Sequence, residues 1–79
     1  MPYNNPLSDK IHHILTPLLG SMMADATLRV QCKKIGTSAE TLSTSSLSDF
    51  AKNLEMGLVI FVGSEKAKEV SWSIEHLAF

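Results

Sequence analysis

Charge is sparse in this sequence and balanced in sign. Only 19% of the 79 residues are charged, and seven basic against eight acidic side chains leave a formal net charge of −1, with a pI near 6.2. Such a surface has no basic stripe to neutralise phosphates, so nucleic acid and anionic membranes are disfavoured partners. Cysteine is nearly absent too. Cys32 stands alone, which excludes an internal disulfide framework and suits a reducing compartment, so a cytoplasmic protein is expected. Neither Cys-x-x-Cys nor His-x-x-x-His occurs, and the adjacent His12 and His13 would point about 100° apart on a helix, so no metal or other cofactor is expected. The longest apolar run, "LVIFV" at 58–62, falls far short of the ~20 residues of a membrane span. The opening "MPYNNPLSDK" also lacks the basic-then-apolar order of a secretory signal.

Apolar residues, by contrast, make up 44% of the chain. A chain this short fits one domain, 1–79, and buries only roughly 60% of the surface its unfolded form exposes. So many core formers on so small a body point to a surplus shared with another molecule.

"MPYNNP" carries two prolines and two asparagines before any periodicity begins, which predicts a loose arm over 1–6. From Leu7 the apolar residues Ile11, Ile14, Leu15, Leu18, Leu19, Met22, Met23, Ala26 and Val30 follow helical spacing. Pro17 interrupts the run but falls on its polar side, so one long kinked helix is predicted, ending near Lys33 and Lys34 with Gly36 as a left-handed stop. Thr37 and Glu40 have capping-box spacing ahead of a turn or two of helix. Ser46 with Asp49 opens the next helix, through Leu47, Phe50, Ala51 and Leu54.

At Gly57 two readings compete. The glycine could release "LVIFV" as a strand, or the helix could run on to Val62 at a cost of about 1 kcal/mol. A lone strand in a helical chain has no partner for its backbone, so helix is preferred. After Gly63 a last helix presents Ala67, Val70, Ile74 and Leu77 on one face, with Trp72 on the other. No internal repeat is visible.

Three stretches invite a functional reading. "LVIFVGSEKAKEV" (Leu58 to Val70) has the strand, turn and helix order of a phosphate loop, but it holds one glycine, no Gly-Lys-Ser/Thr, and an acid, Glu65, where the anion would sit. "GTSAETLS" (Gly36 to Ser43) resembles the turn and early recognition helix of a helix-turn-helix protein, with Gly36 in the turn, Cys32 as the small residue and Leu42 as an anchor. The resemblance implies a DNA-binding regulator using 28–54. No Lys or Arg occurs between Ser38 and Asp49, however, while Glu40 and Asp49 are acidic. Cys32 as a nucleophile would need a neighbouring base, and free cysteine more often serves as a small buried residue. The acids Glu40, Asp49, Glu55, Glu65, Glu69 and Glu75 are spread as on solvated helix faces, so no catalytic residues are assigned.

The sequence therefore predicts an all-α protein, a small helical bundle with a long kinked first helix and a strand at 58–62 as the minor alternative. Its expected function is non-enzymatic: a helical self-association or protein-interaction module, a homodimer or the partner of another protein, in a regulatory or adaptor role. Met22, Met23, Trp72 and Phe79 are the expected interface residues. The helix-turn-helix reading ranks second, and an anion or nucleotide binder at 63–67 ranks third.

Overall fold

The computed structural model describes residues 3–78, in which four α-helices and two short 3-10 turns pack into an all-α bundle. Helix α1 (Pro6–Leu19) starts where Asn5, in extended backbone, accepts a hydrogen bond from the Leu7 amide at 3.0 Å and Pro6 takes the first helical position. Helix α2 (Ser21–Lys34) ends with Lys33 and Lys34 in its last turn, followed by Gly36 at φ 81. A 3-10 turn (Thr44–Ser46) leads into α3 (Leu47–Val62), with Ser46 making no side-chain cap. Helix α4 (Ser64–Glu75) follows and runs into the turn His76–Ala78. No strand forms at 58–62, because α3 continues through Gly57 and the amides of that run bond back within the helix, with Gly63 N donating to Val59 O at its end. Ile11, Leu15, Leu28, Phe50, Leu54, Leu58 and Ile74 fill the core.

Several expectations need correction. The first helix is not long and kinked but two helices, and the break falls at Gly20 instead of Pro17. Pro17 lies inside α1, where it forgoes an amide bond to His13 O without ending the helix, which continues to Leu19. Nor is the described part of 1–6 a loose arm. Tyr3 is 1% exposed and donates its hydroxyl to Asp25 at 2.7 Å, with the Arg29 guanidinium 5.2 Å from its ring centroid. The Asn5 amide donates to the carbonyls of Ala39, Glu40 and Leu42, and Ser8 donates to Ala39 O, so the opening segment holds the 35–43 linker in place. The predicted helix after Gly36 is a set of turns, closed by a hydrogen bond from the Thr41 amide to Ser38 O. The turn and recognition helix of a helix-turn-helix motif have no counterpart there.

The fold also contains a repeat. Gly20 (φ 83, ψ 159) and Gly63 (φ 85, ψ 164) adopt the same backbone conformation between the two helices of a pair. Each glycine amide bonds back to the residue four before it, Thr16 or Val59, and each carbonyl accepts from a buried alanine four ahead, Ala24 or Ala67. Setting Gly20 against Gly63 aligns a Gly-Ser-x-x-Ala junction in both pairs. Six buried positions of each pair then coincide as well: Ser8, Ile11 and Leu15 with Ala51, Leu54 and Leu58, and Ala24, Leu28 and Gln31 with Ala67, Ser71 and Ile74. The chain thus builds one helix pair twice.

Only glycine adopts this backbone region without strain. Gly20→Ala and Gly63→Ala should each cost about 1 to 3 kcal/mol in urea unfolding, although a Cβ at either site meets nothing within 4 Å. D-alanine at the same position, introduced by chemical synthesis, should restore stability. A destabilised D-alanine protein would show that something other than backbone strain is at work.

Candidate functional site

Helix α2 has two faces. Ala24, Leu28, Gln31 and Cys32 point into the core. Met23, Ala26, Thr27 and Val30, at helical spacing on the neighbouring face, line a groove with Leu54, Gly57 and Phe61 of α3 and Leu19 of α1. The groove has a volume of about 210 Å³ and no charged residue in its lining. On its far side the apolar surface continues along α3, where Ile60 is 86% exposed and Met56 and Val59 are also open to solvent.

The repeated helix pair supplies an internal comparison. A second groove lies between α4 and α1, and its lining includes Lys66, Glu69, Val70 and Ser73 opposite Ile14, Pro17 and Leu18. Matched through the two glycines, Met23 corresponds to Lys66, Ala26 to Glu69 and Val30 to Ser73. Across the groove, Gly57 corresponds to Ile14 and Ile60 to Pro17. The same framework therefore carries polar side chains on one side and an exposed apolar surface on the other. A solvent-facing position on an ordinary surface helix has no need of methionine, valine and isoleucine together.

Gln31 and Thr27 are the polar residues of the apolar groove, and Gln31 is the buried one. It is 6% exposed, its side-chain oxygen has no hydrogen-bond partner, and the matching slot in the other pair holds Ile74. An unpaired buried amide oxygen costs about 1 to 3 kcal/mol. The Asp9 carboxylate oxygens are also buried and unpartnered, in a separate groove where Lys10 and His13 supply basic groups.

The other candidates fall into place. Met23 lines the groove, whereas Met22 and Trp72 are exposed outside its lining, and Phe79 lies outside the described residues. Trp72 stacks on His76 with ring centroids 3.9 Å apart. Cys32 is fully buried, and burial, with Glu40 adding to it, pushes its thiol up to about 11, so it stays protonated near neutrality. His12 lies against the Tyr3 ring and within 3.2 Å of Ser21 O. Among the described residues no three His, Cys, Asp or Glu side chains converge as metal ligands, and no helix is long and apolar enough to cross a membrane.

Sequence reasoning missed Val30, Gln31, Gly57, Ile60 and Phe61 as site residues. The readable signal was Gly57, a helix-weakening residue in the middle of a helix. No protein-family model matches the chain, and neither a curated protein nor a solved structure matches it.

Proposed function

We propose that the protein is a non-enzymatic helical association module that pairs with a second copy of itself across the α2–α3 face. The observation that carries this reading is the contrast between the two matched surfaces. Met23, Val30, Met56 and Ile60 stand exposed where the equivalent positions hold Lys66, Ser73, His13 and Pro17. An uncharged apolar face is self-complementary: a twofold axis through it sets methionine, isoleucine and phenylalanine against their own copies without opposing like charges. The matched surface of the other pair carries Lys66, Glu69 and Ser73, which suits it less to a second contact of this kind.

Sedimentation of the pure chain across the micromolar range tests the reading. A dimer that dissociates on dilution is the expected result. A monomer at every concentration would end it.

A further inference from the structure

Methionine ordinarily fills gaps in a core, yet among the described residues no methionine is buried. Met22 is 88% and Met56 76% exposed, and Met23 is also open to solvent. Met23 lines the α2–α3 groove, Met22 precedes it on α2, and Met56 stands on the apolar surface that continues along α3. Matched through Gly20 and Gly63, these positions hold Glu65, Lys66 and His13 in the other pair, so the framework takes a polar side chain at each. The remaining sulfur among the described residues behaves differently. Cys32 is enclosed in the core, and burial keeps its thiol protonated near neutrality, whereas peroxides attack the thiolate.

We propose that Met22, Met23 and Met56 are sites of reversible oxidation to the sulfoxide by hydrogen peroxide, and that this modification switches off self-association while leaving the fold intact. The switch rests on the pairing across the α2–α3 face. At each site the thioether sulfur gives up two electrons and bonds one peroxide oxygen as the O–O bond breaks, and the other oxygen leaves with both protons as water. A flexible apolar side chain thereby becomes a polar one with a strong acceptor. In a twofold pair that acceptor would be taken out of water into an uncharged contact, and it would enter twice. In the free chain it stays in water, at positions where the matched helix pair already carries polar groups. Pairing covers the thioethers, so the oxidant meets the free chain, and each oxidised chain is withdrawn from the association equilibrium.

Sedimentation velocity of the full chain before and after millimolar hydrogen peroxide at neutral pH, with peptide mass spectrometry locating the added oxygens, tests this. Oxidation should raise the dissociation constant by about tenfold or more and leave urea unfolding of the monomer unchanged. Methionine sulfoxide reductase should restore pairing. A chain carrying Met22→Leu, Met23→Leu and Met56→Leu together should pair and be indifferent to peroxide, which separates these sites from Met1 and Cys32. The switch is overturned if the three thioethers take up no oxygen, if the oxidised and untreated chains dissociate alike, if oxidation unfolds the monomer, or if the leucine variant loses pairing on treatment as the unaltered chain does. Reversal by the reductase decides the matter even if the leucine variant does not fold. An untreated chain that is monomeric at every concentration removes the pairing and the switch together, whereas an untreated dimer indifferent to oxidation removes the switch alone.

Discussion

Replacing Tyr3 by alanine should lower the unfolding free energy by about 3 to 5 kcal/mol, the range for deleting a buried aromatic ring. A chain of this length is expected to hold only about 4 to 12 kcal/mol in all, so the variant should sit near or past the edge of folding. The effect is large because the ring is fully enclosed although it lies at the start of the chain, clamped against α2 by Asp25 and Arg29 and facing His12. Urea unfolding followed by circular dichroism measures it. A loss under about 1 kcal/mol would mean that the opening segment does not dock in solution.

Tyr3→Phe isolates the hydroxyl and has a signature in pH. Burial first, and then the hydrogen bond to Asp25, raise the Tyr3 phenol above its ordinary value, while the Tyr3 hydrogen bond and Arg29 hold the Asp25 carboxyl below its own. A raised phenol contributes stability that is complete below pH ~10 and lost as pH climbs through the higher folded value. A depressed carboxyl contributes stability present above pH ~4 and lost as pH falls through the lower folded value. The gap between wild type and Tyr3→Phe, about 1 kcal/mol because Asp25 is half-exposed, should be flat from about pH 5 to 9 and narrow on both sides. A gap independent of pH would show that the hydroxyl does not bond Asp25.

Ile60→Glu should raise the dissociation constant of the dimer roughly thirtyfold or more while leaving the monomer's stability within about 0.5 kcal/mol. Ile60 touches little within its own chain, being 86% exposed, so a charge there costs folding almost nothing. In a twofold pair the substitution enters twice, and two carboxylates face each other in an apolar interface. Lys68→Glu on α4 is the matching control, an exposed change away from this face that should leave association unaltered. Sedimentation velocity compares the three proteins. Equal dissociation of wild type and Ile60→Glu would move the contact away from α3.

Much of the helical pattern could be read in the sequence. The stripe Ala67, Val70, Ile74 and Leu77 packs inward, α2 stops at Lys34 ahead of Gly36, and α3 runs through Gly57 to Val62. The Gly20 break was hidden because apolar residues keep a helical phase across a single inserted glycine whose conformation is set only when the second helix folds back. Tyr3 looked loose because its partners lie at Asp25 and Arg29, beyond any local pattern. The repeated helix pair escaped notice for a related reason. Its matched buried positions carry chemically unlike residues, Leu28 with Ser71 and Gln31 with Ile74, so position is repeated where residue type is not. The groove was half legible: Met23 was named, but Val30 and Phe61 shared the apolar phase of core residues, and only the packing of α2 and α3 shows that they remain outside.

The ties made by Tyr3, Asn5 and Ser8 also set an order of events during synthesis. These residues leave the ribosome before their partners, which are Asp25 and the carbonyls of Ala39, Glu40 and Leu42. Until residue 42 is clear, Tyr3 can already meet Asp25 and Arg29, but Asn5 and Ser8 lack the linker carbonyls that they bond in the folded chain. A nascent chain arrested before residue 39 can therefore dock Tyr3 on α2 but leaves the Asn5 amide and the Ser8 hydroxyl without their linker acceptors.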